Sequence, residues 1–380
     1  NAPLYQSSWL RRVDPGYWCQ EFYTNYANWH KEAEPDFIEQ AIWMAIASGC
    51  RGLTFWQYKS ERFGEESNGW GMREIDGSPT RRSERCDRIA GVLKELGADF
   101  AASRPARSKA AIWFDLRNDL LMRIESMRSE LNYIEEIRGS TDYSTKQAAA
   151  ADHTILRRLG VTADFVVSGD DLSGYRLLVA DAVELVDEAA AAWLTGFVRD
   201  GGTLLIGYPF ACRDERTWVT PRRPALGLEA LTGCREAIRI ALPDGETRSI
   251  HWENGSVQPA AGWQVILQPC GGEVIGRWED NSPAVIRHTF GAGKVITCGG
   301  NFAMAYFREP DRCEIPLPYA QAMELAGLEI CDSTLWSCSR FSEASEYRFL
   351  FNAGESAEIE TAPFELVYAS AGCTATAGTL

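Results

Sequence analysis

Carboxylates and flat aromatic rings cluster near the start of the chain. Trp18-Cys19-Gln20-Glu21-Phe22 sets Glu21 near the end of an apolar, strand-like run. Trp29 follows eight residues later, Trp56 closes the next apolar run, and Glu65 and Glu66 stand in the polar loop beyond it. Sugar sites need this mixture: rings cover the apolar face of a pyranose, and carboxylates accept its hydroxyl hydrogens. On spacing alone a plainer reading is also open. Glu21 then is a surface or salt-bridged residue, the tryptophans belong to a core or an interface, and Arg62 with Glu65 and Glu66 is a solvated charge cluster worth little.

These residues need elements to hold them. Residues 18–22 read as a short aromatic strand. Pro35 suits a first helical turn, and Ile38, Ala41, Ile42, Ala45 and Ile46 then recur at helical spacing before Gly49. Residues 53–56 form a second strand and residues 57–79 a polar loop. A second helix carries Ile89, Val92, Leu93 and Leu96 and is expected to stop at Gly97. Alternating strands and helices of this length predict parallel βαβ units. In a (β/α)8 barrel the C-terminal strand ends face the active site. Two such units cannot cover a parallel sheet on both faces, so this section needs upstream chain or a partner chain.

A new α/β pattern starts near Pro105. Strands are predicted over residues 110–114, 164–167, 177–180 and 203–206. A helix is expected over residues 145–159 with Gly160 as its stop. Asp187 is a good N-cap for another, whose face is Ala189, Ala192, Trp193 and Phe197. Residues 290–294 (FGAGK) turn into a strand at 295–297. From about Ala305 helical periodicity fades, and residues 347–351, 352–355 and 357–360 read as strand, turn, strand. The expected division is three domains: 1–104, 105–305 and 306–380.

Composition narrows the function classes. The 380 residues carry a formal net charge of −15, with 45% hydrophobic and 24% charged residues. That is a packed globular chain and a poor match to a nucleic-acid groove. No apolar run reaches the roughly 18 residues of a membrane span, and no signal segment is visible. The 11 cysteines stand singly, without metal-ligand spacing. Cys19, Cys50 and Cys298 read as small buried hydrophobes, and a cytoplasmic location is the simplest expectation. The first residue, Asn1, lies in an aromatic stretch and reads as a cut or processed end.

Glu21 followed by Asn28-Trp29 resembles the nucleophile segment of the glycoside hydrolase family 42 β-galactosidases. There, a Glu on a late barrel strand precedes Asn-Trp at this distance. The likeness continues through Ala47-Ser48-Gly49, Phe55-Trp56, Arg62-Phe63-Gly64-Glu65-Glu66 and Asp76-Gly77-Ser78-Pro79. Ala111-Ile112-Trp113-Phe114-Asp115, Leu177-Leu178-Val179-Ala180 and Gly201-Gly202-Thr203-Leu204-Leu205 resemble strands of the family's middle domain.

The resemblance implies the last two βα units of a (β/α)8 barrel, then a flavodoxin-like or amidotransferase-like α/β trimerisation domain, then a small antiparallel β domain. It implies a retaining hydrolase of terminal β-D-galactosides with Glu21 as nucleophile. Trp29 and Trp56 then line the sugar subsite and Glu66 binds sugar hydroxyls. Gly69 stands where the family usually has His. No cofactor or metal is expected, and the complete protein is expected to be a homotrimer. Retaining glycosidases need a second carboxyl group as acid/base. In this family it follows an Asn on an earlier strand, and this chain has no Asn-Glu dipeptide, so the chain reads as a fragment that is inactive alone. Two alternatives stay open: a non-catalytic oligomerisation module and an α-L-arabinopyranosidase on the same scaffold. An amidotransferase-type enzyme needs a Cys on a Gly-flanked strand-to-helix elbow, and Cys212 and Cys234 have no such flanks.

Overall fold

A computed structural model describes residues 2–23, 34–67, 71–126, 145–243, 245–308, 314–331, 335–352 and 364–370. The chain divides into two units, Asn1–Arg107 together with Thr334–Leu380, and Ser108–Ser333.

The first unit begins with α1 (Ala2–Val13), β1 (Trp18–Tyr23), α2 (Pro35–Ala47), β2 (Gly52–Trp56), α3 (Arg81–Ala102) and the short β3 (Arg104–Pro105). Pro35 opens α2, where its missing N–H leaves no bond unmade. Helix α2 buries Ile38, Ala41, Ile42, Ala45 and Ile46, and also Glu39, Trp43 and Met44. A helix buried this far round is covered on more than one side. Strands β1 and β2 pair in parallel, with Trp18 opposite Gly52 and Tyr23 opposite Trp56. A capping box starts α3: Thr80 Oγ1 accepts from the Ser83 N–H, and Ser83 Oγ accepts from the Thr80 N–H. Gly97 (φ 65°) interrupts α3 rather than ending it. The helix resumes because Phe100 packs edge-on to Tyr347, ring centroids 4.8 Å apart.

The C-terminal strands group with this unit. Leu335–Phe341 and Glu346–Asn352 form an antiparallel hairpin, and the first of them pairs with β3. Its Trp336 and Phe351 join Ile42, Trp43 and Phe100 in one core. An isolated hairpin has too little apolar face to be stable, and this one is covered by packing on α2 and α3. The strand expected at residues 347–351 is present, but it pairs backwards with Leu335–Phe341. Residues 357–360, its expected partner, lie outside the described residues.

The second unit is built on a nine-stranded sheet. It contains β4 (Ala110–Trp113), α4 (Leu116–Ser126), α5 (Thr145–Arg158), β5 (Asp164–Val166), β6 (Leu177–Leu185), α6 (Glu188–Arg199), β7 (Thr203–Arg213), α7 (Glu229–Thr232) and β8 (Cys234–Ala241). There follow β9 (Thr247–Trp252), β10 (Val257–Ala261), β11 (Trp263–Pro269), β12 (Glu273–Trp278), β13 (Pro283–Phe290), β14 (Gly293–Cys298), α8 (Phe302–Arg308) and α9 (Leu317–Leu325). The sheet order is β10-β9-β12-β13-β14-β7-β6-β4-β5. Its parallel strands β5, β4, β6, β7 and β14 follow the order 2-1-3-4-5, which is the flavodoxin-like arrangement. Strands β13, β12, β9 and β10 extend it antiparallel.

Two local expectations change. Strands β6 and β7 run past residues 180 and 206, to Leu185 and Arg213. The buried stripe of α6 is Ala190, Ala191, Leu194 and Val198, with Trp193 and Phe197 at its margin. Leu194 and Val198 set the phase, because the alanines fit any face. The Asp187 cap forms as expected, its Oδ1 accepting from the Ala190 N–H at 2.8 Å.

Candidate active site

Glu21 and Trp56 lie toward the C-terminal ends of the paired parallel strands β1 and β2. Tyr23 is two residues beyond Glu21, so both side chains project to the same face of β1. The Tyr23 hydroxyl donates to Glu21 Oε2 at 3.0 Å. Among the described residues Glu21 Oε1 accepts no hydrogen bond. Tyr23 stands opposite Trp56 in the strand register, and both rings are exposed. The bond to the Glu21 carboxylate pushes the Tyr23 phenol up, and the Glu66 carboxylate adds to this from the following loop.

Glu66 is held in turn. Gln57, directly after β2, donates from Nε2 to Glu66 Oε2 at 3.3 Å. The short 3-10 turn Glu65–Ser67 carries it. The Trp56–Gln57 peptide bond is cis. The strand pair and the hydrogen bonds bring Glu21, Tyr23, Trp56, Gln57 and Glu66 to one end of β1 and β2, a grouping of acceptors and aromatic faces. Asn28, Trp29 and Gly69 lie outside the described residues. Sequence reasoning missed Tyr23 and Gln57. The signal for Tyr23 was its i+2 spacing from Glu21, and for Gln57 its place at a strand end.

Among the described residues of the second unit, the two candidate cysteines are not placed as nucleophiles. Cys212 lies inside β7 and Cys234 opens β8, both buried. Burial pushes each thiol up to about 12, away from the thiolate that a cysteine nucleophile requires. Neither occupies the sharp strand-to-helix turn of an amidotransferase. Among the described residues no three His, Cys, Asp or Glu side chains group as a metal site, and no helix is long and apolar enough to cross a membrane.

Comparison with known proteins gives one direction. Residues 108–309, more than half of the chain, match the family described as the β-galactosidase trimerisation domain. The β-galactosidase BgaH of Haloferax lucentense is 25% identical over 291 residues, covering 74% of this chain and 41% of that protein. The β-galactosidase BgaB of a Geobacillus species is 24% identical over 299 residues, covering 76% and 42%. The chain thus spans about two fifths of the length of these relatives. Among solved structures, the β-galactosidase from Bacillus circulans sp. alkalophilus aligns with a TM-score of 0.75 at 18% identity, over 92% of this chain and 51% of that one. The polyextremophilic β-galactosidase of Halorubrum lacusprofundi aligns with a TM-score of 0.72 at 22% identity, over 89% and 50%. This chain belongs to the glycoside hydrolase family 42 β-galactosidases, whose C-terminal portion it matches.

Proposed function

We propose that this chain is the nucleophile-bearing, C-terminal part of a retaining glycoside hydrolase that cleaves terminal β-D-galactosides. The observation that carries the reading is the placement of Glu21. It lies at the C-terminal end of a parallel strand, bonded to Tyr23 through one oxygen, with Trp56 across the register. In this reading Glu21 Oε1 attacks the anomeric carbon as the glycosidic C–O bond breaks and the aglycone oxygen leaves with a proton from the second carboxyl group. Water, deprotonated by that same group, then releases the sugar from Glu21, and Trp29, Trp56 and Glu66 line the sugar. The second carboxyl group, about 5–5.5 Å away in retaining enzymes, comes from barrel strands outside residues 1–380. The 380 residues alone then do not hydrolyse a galactoside.

The test joins this chain to an upstream barrel half carrying an Asn-Glu strand end. That protein is expected to hydrolyse nitrophenyl β-galactoside, with Glu21→Gln reducing the rate by at least roughly a thousandfold. Undiminished hydrolysis by Glu21→Gln would remove Glu21 from the nucleophile role.

A second reading concerns assembly, and the trimerisation-domain match favours it. In this reading the second unit brings three copies together whether or not a barrel is complete. Light scattering on the chain is expected to give three times its 42.3 kDa. A monomer at micromolar concentration would count against this reading and leave the nucleophile assignment untouched.

A further inference from the structure

Two carboxyl groups meet deep inside the second unit. Asp152 of α5 and Asp181 of β6 are 1% and 4% exposed, and their carboxyls lie within hydrogen-bonding reach of each other. Among the described residues neither forms an ion pair. Each is held from another element. The Tyr319 hydroxyl of α9 donates to Asp152 Oδ1. Asn301, after β14, donates from Nδ2 to Asp181 Oδ1 at 2.6 Å, while its own Oδ1 accepts from the Met304 N–H and so caps α8.

The backbone is shaped for this contact. The β6–β7 register shifts between Asp181 and Val183, and Ala182 sits at φ 54°, a conformation that costs a non-glycine residue energy. Such bulges re-aim a side chain. On β7, Gly207 makes room: a Cβ there would lie 1.9 Å from Asp181 Oδ1.

One atom shows where a proton belongs. Asp152 Oδ2 is buried and has no hydrogen-bond donor. Two neighbouring buried carboxylates with no cation cannot both stay ionised out of water. A proton on Asp152 Oδ2, donated to Asp181, satisfies that orphan atom and removes the repulsion. We propose that Asp152 and Asp181 share one buried proton, and that its loss loosens α9 and the Asn301 turn from the sheet.

The other groups facing the pair are Tyr319 and Cys298, whose phenol and thiol burial pushes up and keeps neutral. On α5 itself, His153 stacks on Phe165, and Arg157 and Arg158 face Tyr306 of α8. Burial first, and then the neighbouring carboxyl, pushes Asp152 up, and burial pushes Asp181 up to about 7. An acid whose folded pKa is raised gives stability that is full below the unfolded value and is lost as pH rises through the folded value. The window therefore opens at about pH 4, the ordinary carboxyl value, and reaches past about 7, the value to which Asp181 is raised, because Asp152, which carries the proton, is pushed well up too.

The experiment compares the intact chain with Asp152→Asn, whose amide mimics the protonated acid. In the wild type the unfolding constant should rise by up to about tenfold per pH unit across the window, and α9 amides should lose exchange protection above it. Asp152→Asn should flatten both trends. Infrared spectra of the wild type at about pH 6, above the ordinary carboxyl range, should show a neutral buried carboxyl stretch that disappears at alkaline pH. This reading needs no variant and stands if Asp152→Asn fails to fold. The same pH slope in Asp152→Asn, or no neutral carboxyl band, would overturn the proposal.

Discussion

The Tyr23 hydroxyl donates to Oε2 of Glu21 at 3.0 Å, across one intervening residue of β1. The bond fixes one carboxylate oxygen and leaves the other available. In a barrel-complete protein, Tyr23→Phe should keep the fold and lower kcat by about tenfold, the size of one hydrogen bond to a charged group. KM should change less, because in the proposed reading the bond orients the Glu21 carboxylate rather than the sugar. Steady-state kinetics on an aryl galactoside checks this, and an unchanged kcat would make the contact incidental.

Gly207 is the second point of prediction. A methyl group there would collide with the Asp181 carboxyl at 1.9 Å, and both lie in central, fully packed strands. Gly207→Ala should destabilise the second unit by more than about 4 kcal/mol, the range of severe core strain. Pairing it with Asp181→Ala removes the clash, so the double variant should be more stable than Gly207→Ala alone. Urea midpoints of the four proteins form the cycle, and simple additivity would refute the clash.

The parallel strands of this fold were legible because they are buried on both faces and read as continuous apolar runs. Leu177–Leu185 shows where that reading stops short. The expected strand covers residues 177–180, yet all nine residues to Leu185 are buried, because Asn301 and Arg213 satisfy the Asp181 and Glu184 carboxylates from other elements. Partners so far apart in sequence leave no local signal. The antiparallel extension, β9, β10, β12 and β13, was missed for a different reason: its strands are half exposed, as in Thr247–Trp252, and their apolar alternation is weak. At the candidate site, Glu21, Trp56 and Glu66 came from the family resemblance, and they lie at one end of the strand pair. Tyr23 and Gln57 join them through hydrogen bonds that spacing alone does not rank.

Asp187 offers a prediction with a pH signature. Its Oδ1 accepts from the Ala190 N–H at 2.8 Å and its Oδ2 from Arg117 Nη1 at 3.0 Å. The backbone bond, and then Arg117, hold the carboxyl below its ordinary value. A depressed carboxyl contributes stability above the unfolded pKa and loses it as pH falls through the folded one. Asp187→Ala should therefore cost about 1 kcal/mol near neutral pH, a typical N-cap loss. The difference should vanish below the folded pKa. Thermal unfolding of both proteins across the acid range tests the sign, and a gap that widens in acid would refute it.

Arg340 ties the C-terminal hairpin to the first unit and gives the last prediction. It is 3% exposed, and among the described residues it has no carboxylate partner. Its Nη1 donates to the Ile46 carbonyl in the last turn of α2. Nε donates to Ser103 Oγ at 2.9 Å, and Nη2 to the Ser103 carbonyl at 2.8 Å, just past α3. The guanidinium therefore sits at the C-terminal ends of two helices, where the helix dipoles favour a cation, and over the ring of Phe100. Burial pushes its pKa down to about 10, so it remains charged at neutral pH. Arg340→Met would fill much of the space but leave those buried acceptors unpaired, at a cost on the order of 3 kcal/mol. Arg340→Lys keeps the charge without the planar fork and should recover less than half of that loss. Hydrogen exchange at the end of α2 and in strand Leu335–Phe341 should rise together in Arg340→Met. Exchange rising in the strand alone would show that the hairpin is held by its aromatic core and not by this clamp.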